Sequence, residues 1–274
     1  MGGAYVGPTS TEVIRYGEGL FAFCNEDGVW GYADATGETV IEPRFGYAGQ
    51  FSEGLASVVQ GEDRCVINRA GEVVIRGRAP ETGYHGGVAL VWNAEEGRYR
   101  VMDRSGKYIA GPYTYASRFS EGMSGVSINV GGEVSSGYIN TAGEVVIPLN
   151  ASWHMAGPFH QGRALVYHQD DKQGYIGPSG AYVVEPRYEW AFRFSEGRAF
   201  VRDQDNAGNV TWSGYIDREG RQVFGAEKGA YFQNGLCPVL LAGEDGVVYV
   251  DKEGEAVIRA PEGCELHVYW PDED

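Results

Sequence analysis

The sequence predicts an all-β repeat protein of seven three-stranded antiparallel meanders, closing as a seven-bladed β-propeller-like ring, with an open β-solenoid of hairpins as the alternative. Three observations carry this. The chain holds 42 glycines and 18 tyrosines but only 4 methionines in 274 residues, the balance expected of many short strands joined by tight turns. An aromatic residue followed three positions later by glycine recurs at Tyr16/Gly19, Phe51/Gly54, Tyr84/Gly87, Phe119/Gly122, Phe159/Gly162, Phe194/Gly197 and Phe232/Gly235. A second glycine recurs at Gly37, Gly71, Gly106, Gly143, Gly180, Gly220 and Gly254, at spacings of 34 to 40 residues. A fixed period of this length marks a repeat architecture, and seven equal units favour closure. The units span about 16–45, 51–75, 84–110, 119–148, 159–185, 194–224 and 232–258, followed by a tail over 259–274, all in one domain.

Within a unit, the residues after the first glycine predict a short strand, as in Leu55-Ala56-Ser57-Val58. Its second position is small in six units (Ala56, Ala89, Ser124, Ala164, Ala199, Cys237), and its fourth is Val in six, with Phe21 and Phe23 as the exceptions. Period-two alternation puts both positions on one face, so this strand is expected to be the most buried. The second strand reads Trp30-Gly31-Tyr32-Ala33-Asp34, Ser136-Gly137-Tyr138-Ile139-Asn140 or Ser213-Gly214-Tyr215-Ile216-Asp217. Its final Asp or Asn, three residues before the turn glycine, predicts a side-chain-capped hairpin with a bulge. The third strand follows directly, as in Glu72-Val73-Val74-Ile75. Connectors are spaced in threes, Phe45/Ala48/Phe51, Tyr113/Ala116/Phe119 and Tyr188/Ala191/Phe194. That spacing suggests a 3₁₀ turn or a short edge segment pinning each meander to its neighbour.

Residues 28 to 59 read Trp-Gly-Tyr, a turn Gly, a Val/Ile strand, Pro-Arg-Phe and then Phe-Ser-Glu-Gly-Leu-Ala. This resembles the WG repeat family, with weaker copies over about 17 to 258. Only Trp30-Gly31 keeps the Trp-Gly pair; Gly137, Gly174 and Gly214 keep the glycine alone, and Cys65, Arg100 and Val248 have lost it. The resemblance implies a repetitive β scaffold common in bacteria, with no shared catalytic residue to carry over.

Thirty-eight acidic against 22 basic residues give a formal charge of -16, which repels phosphate backbones and anionic lipid. No nucleic-acid and no membrane partner is expected. Met1 to Tyr16 has neither a basic nor an apolar leader region, and no apolar run approaches a membrane span. A cytoplasmic protein is the expectation. Cys24, Cys65, Cys237 and Cys264 lack metal-type spacing and read as buried free thiols, a Cys237–Cys264 bond being the alternative.

Motifs that could carry chemistry dissolve into the repeat. Gly17-Glu18-Gly19-Leu20-Phe21-Ala22 precedes a strand rather than a helix. Ser124 occupies a packing position, and Ala207 and Gly214 break the calcium-loop pattern begun at Asp203. His154, His160 and His168 are not at ligand spacing and read as surface histidines. The reading is therefore a protein with no catalytic residue, no metal and no cofactor. Glu18, Glu53, Glu121 and Glu196, joined by Gln161 and Asn234, stand at equivalent turns and read as solvated residues that a closed ring would gather on one rim. Residues 64 to 107 run against the overall charge, with eight basic residues (Arg64, Arg69, Arg76, Arg78, Arg98, Arg100, Arg104, Lys107) and five acidic. Partner-binding candidates are Arg76, Arg78, Arg98 and Arg100 in that stretch, together with Trp153, His154, Trp190 and Trp212 in the irregular loops. The expected function is a non-enzymatic scaffold for protein–protein interaction. The alternative is a small-molecule or carbohydrate binder, an enzyme included, using a channel or the aromatic loops.

Overall fold

The computed structural model describes residues 16–80, 82–205, 207–244, 246–261, 266 and 268. Cys264, and with it the alternative Cys237–Cys264 bond, lies outside them, as do 11–15 and most of the tail. Every regular element among the described residues is a β-strand. They group into two compact units, one of residues 16–118 with 141–144, the other of 119–140 with the residues from 145 onward.

In the first unit, one sheet runs β1 (Tyr16–Gly17), β2 (Leu20–Cys24), β3 (Trp30–Asp34), β4 (Thr39–Phe45), and the next β5 (Tyr47–Ala48), β6 (Leu55–Gln60), β7 (Asp63–Asn68), β8 (Val73–Arg76). A third holds β9 (Val88–Asn93), β10 (Arg98–Asp103) and β11 (Tyr108–Tyr113), and β12 (Tyr115–Ala116) follows in the connector. The second unit contains β13 (Met123–Val130), β14 (Glu133–Asn140) and β15 (Val145–Asn150), then β16 (Trp153–His160), β17 (Arg163–His168), β18 (Gln173–Ile176) and β19 (Tyr182–Tyr188). Its last two sheets are β20 (Trp190–Ala191), β21 (Ala199–Gln204), β22 (Val210–Ile216), β23 (Gln222–Gly225), and β24 (Lys228–Gly229), β25 (Cys237–Leu240), β26 (Val248–Val250), β27 (Ala256–Arg259). Neighbouring strands are antiparallel and follow chain order.

The connector resolves the choice that its spacing left open. It forms a short edge strand, and β1, β5, β20 and β24 each pair with the first long strand of their own meander, making a fourth strand. In the fifth repeat the edge strand lengthens to the eight residues of β16.

The meander strands form where their sequences place them. The small and Val positions of the first strand are buried, among them Ala56, Val58, Ala164, Val166, Cys237 and Val239. Apolar clusters lie between successive sheets within each unit, with Phe45, Ala48 and Phe51 in one and Tyr188, Ala191 and Phe194 in another. The hairpin turns are capped as the sequence predicts. Asp34 Oδ1 accepts the N–H groups of Thr36 at 2.8 Å and Glu38 at 3.1 Å, and Gly37 takes φ +85°. Asn68, Asp103, Asp217 and Asp251 cap their turns in the same way.

The second-strand glycine has a packing reason. A Cβ on Gly31 would stand 2.6 Å from the Ile41 carbonyl oxygen, on Gly137 2.6 Å from that of Ile147, and on Gly174 2.7 Å from that of Val184. In these three repeats the third strand carries extra residues opposite the glycine, a bulge that drives its backbone onto the second strand. Where Cys65 and Val248 replace the glycine, the pairing at that point is regular. The third repeat keeps the bulge opposite Arg100 but moves the glycine across, to Gly111 on β11, whose Cβ would stand 2.8 Å from the Tyr99 carbonyl oxygen.

Candidate interaction surface

The motif Phe-Ser-Glu-Gly at the head of a repeat is a set of contacts to its neighbours. The phenylalanine packs edge-on to the buried second-strand tyrosine of the preceding sheet, with centroids 4.8 Å apart for Phe51 on Tyr32 and 5.0 Å for Phe159 on Tyr138. Those tyrosine hydroxyls donate to connector carbonyls, Tyr32 to Gly49 at 2.7 Å and Tyr138 to Gly157 at 2.9 Å. The serine hydroxyl donates to the head aromatic of the next repeat, Ser120 to the Phe159 carbonyl at 2.6 Å and Ser195 to that of Phe232 at 2.7 Å.

The acid that follows reaches the next turn. The Gly54 N–H donates to Glu18 Oε2 at 2.9 Å, Gly87 to Glu53 at 2.8 Å, Gly162 to Glu121 at 2.9 Å and Gly235 to Glu196 at 2.9 Å, while Gly197 donates to Gln161 Oε1 at 2.6 Å. Each of these acids, and Gln161, sits at positive φ between 49° and 55°, which aims the side chain along the row at some backbone strain. The expectation of merely solvated turn residues is therefore corrected: these carboxylates are clasps from one repeat to the next. The reason is geometric, since a glycine in the left-handed turn presents its N–H outward, within reach of a side chain one repeat earlier.

The Glu196 clasp is pH-dependent. The backbone N–H of Gly235 and the Lys252 ammonium, 3.1 Å away, hold the Glu196 carboxyl below its ordinary value of 4.5. A depressed carboxylate contributes stability that is fully present above the unfolded value and is lost as pH falls through the folded one. Wild type is expected to lose stability as pH falls below 4.5. Glu196→Gln should flatten part of that loss; an identical pH profile in chemical denaturation would show that the clasp contributes nothing.

The eight basic residues of 64–107 divide by use. Arg69 and Arg104 each donate to the carbonyl of a clasp acid, Glu18 and Glu53, at 2.8 Å. Arg76 pairs with Asp63 at 3.1 Å, and Arg100 grips both carboxylate oxygens of Glu96 at 2.8 Å, an arrangement that holds the Glu96 carboxyl low. Arg78 and Arg100 lie over the Tyr108 ring, 5.0 and 5.5 Å from its centroid. Among the described residues Arg78 and Arg98, both exposed, make no ion pair.

On the opposite face of the same sheet, Trp92 stands across from Tyr99, which stands across from Tyr113. Trp92 is 40% exposed and meets Tyr99 edge-on at 4.9 Å. Burial pushes the Tyr113 phenol up, so it stays neutral. Trp92 was missed by sequence reasoning, although a signal was there. It fills the strand position where other repeats carry Cys24, Val59, Ser127, Tyr167, Arg202 and Leu240.

The remaining candidates are dispersed. Trp153 is 2% exposed and donates its indole N–H to the Tyr182 hydroxyl at 2.6 Å, so it belongs to the core of its sheet. His154 is half-buried, its ring 6.0 Å from that of Tyr167. Trp212 packs against the cluster of Tyr175 and Phe194, whereas Trp190 is 43% exposed. His168 pairs with Asp170 at 2.8 Å, and no group of three His, Cys, Asp or Glu side chains among the described residues is arranged to hold a metal. Ser124 is buried, and Asp205 caps the β21–β22 turn by accepting the N–H groups of Ala207 and Asn209 at 2.9 Å.

A family model described as WG containing repeat matches residues 30–62, 137–172 and 174–206. Those three segments match the WG repeat pattern. The matched segments open at or beside Gly31, Gly137 and Gly174, the glycines that face a bulged third strand. The second, third and seventh repeats of the chain keep the meander while changing that junction. No curated protein matches the chain. Among solved structures it is similar to BamB from Moraxella catarrhalis at 10% identity, with a TM-score of 0.45 over 88% of this chain and 85% of that one. It is likewise similar to Kluyveromyces lactis Hsv2 at 10% identity, with a TM-score of 0.43 over 84% and 89% of the two chains. AztD from Citrobacter koseri gives 11% identity and a TM-score of 0.40 over 88% and 82%.

Proposed function

We propose that the protein is a non-enzymatic WG-repeat scaffold that binds another protein through the outer end of its third sheet. The observation that carries this reading is the exposed Trp92, braced edge-on by Tyr99, on a hairpin whose other face offers Arg98. Trp, Tyr and Arg are the side chains that dominate interface energetics: the two aromatics bury much surface for little lost rotamer freedom, and Arg adds a planar, charged fork of donors. The Arg98 guanidinium, which among the described residues donates to the Gly97 carbonyl and makes no ion pair, selects a partner segment bearing carboxylates. The same reading places the protein in the cytoplasm, where the thiols of Cys24, Cys65 and Cys237 remain free.

The test is capture from native lysate by the tagged chain, with a Trp92→Ala/Arg98→Glu double variant and a Val130→Ser control at a site 70% exposed on another sheet. Wild type and control are expected to retain one stoichiometric protein, weakened by added salt, and the double variant to lose at least about tenfold, the 1.4 kcal/mol of one modest contact. Undiminished capture by the double variant, with an unchanged circular dichroism spectrum, would overturn the reading.

A further inference from the structure

The repeats present a second, separate chemistry where the head turn of one repeat faces the hairpin turn of the next. Arg218 occupies the hairpin place held elsewhere by Arg69 and Arg104. Those two donate to their clasp carbonyls at 2.8 Å, whereas Arg218 stands 3.5 Å from the Gln161 carbonyl. The residues around it depart from the repeat. After the turn glycine, five repeats carry Leu20, Leu55, Val88, Met123 and Leu236, but the fifth and sixth carry Arg163 and Arg198. Gln161 stands where other repeats have Glu18, Glu53, Glu121 and Glu196. One junction of an acidic chain has thus exchanged a carboxylate for an amide and two aliphatic side chains for guanidinium groups.

These residues line an open cleft of 730 Å³, with Gln161, Arg198, Arg218 and Lys252 among its walls. That volume lies within the range of small-molecule sites, roughly 300–1,000 Å³. Its carboxylates are each already in an ion pair, Asp217 and Glu219 sharing one guanidinium. Glu196 pairs with Lys252 at 3.1 Å, Asp217 and Glu219 pair with Arg221 at 2.7 and 3.0 Å, and Glu253 lies 3.6 Å from Arg198. Arg163 is spent on the carbonyls of Arg218 and Gly162. Among the described residues Arg218 makes no ion pair. Gln161 accepts the Gly197 N–H through Oε1 at 2.6 Å, so its Nε2 is left as a donor where a glutamate would offer a second anionic oxygen.

We propose that this cleft binds a small molecule through an oxyanion, carboxylate or phosphate, received by the Arg218 guanidinium and the Gln161 amide. The test is a nitrogen-15 NMR titration of the full chain with inorganic phosphate and, separately, with acetate, at constant ionic strength set by chloride. Saturable shifts at Gly197, Arg218 and Lys252 are expected from at least one anion, and which one responds assigns the headgroup. Arg218→Gln should weaken that binding at least tenfold. Gln161→Glu, which restores the acid of the other repeats and keeps the clasp, should do the same in a protein that folds normally. Absence of saturable shifts with both anions, or unchanged binding in both variants, would overturn the proposal.

Discussion

Gly174→Ala is expected to destabilise the protein by about 3 kcal/mol, the upper part of the usual range for overpacking. The added methyl would meet the Val184 carbonyl oxygen at 2.7 Å, Pro186 N at 2.7 Å and Pro186 Cα at 2.9 Å, all backbone atoms that cannot rotate aside. Relief requires the bulge in β19 to move, and that bulge sets the register of Tyr188 and Val184, both core residues. Gly162→Ala is the control. Its φ of +72° makes alanine unfavourable, but nothing lies within 4 Å of the new Cβ, so a cost of about 1 kcal/mol is expected. Urea midpoints at unchanged m-value measure both. A loss at Gly174 no larger than that at Gly162 would show that close approach does not explain the second-strand glycine.

Phe194→Ala should cost about 3–5 kcal/mol, the range for emptying a buried phenylalanine site. Phe194 is buried at the head of its repeat, 4.8 Å from the Tyr175 ring, in a cluster with Val184, Tyr188 and Ala199. Tyr175 is also fully buried and donates its hydroxyl to the Phe192 carbonyl at 2.6 Å. Tyr175→Phe should therefore cost only about 1–3 kcal/mol, by leaving that carbonyl without its donor. The pair of variants separates the apolar from the polar part of one junction, and a loss below about 1 kcal/mol for Phe194→Ala would remove the head aromatic from its assigned role.

Much of this was legible in the sequence because the repeat states it several times. The turn glycines, the Asp and Asn caps, and the small and Val positions of the first strand recur in register, and each forms the element its chemistry requires. What the repeat could not state was distance between units. The acids at Glu18, Glu53, Glu121 and Glu196 look like solvated turn residues along the chain, since their partners lie a full repeat away. Arg69 and Arg104 counted toward a basic patch although each is spent on a carbonyl of the preceding repeat. Trp153 stood out as an irregular loop residue, yet β16 runs through that stretch and buries it. The candidate surface was visible only in part: Arg78, Arg98 and Arg100 followed from charge, whereas Trp92 needed the repeats compared position by position.

The central claim is that the acidic head residue of one repeat holds the turn of the next. Hydrogen exchange at single amides tests it most directly, on wild type beside Glu121→Ala and Glu196→Ala. Protection is expected to fall selectively at Gly162 in the first variant and at Gly235 in the second, about 40 residues along the chain from each substitution. Protection lost only within the substituted turn, or unchanged at both glycines, would contradict it.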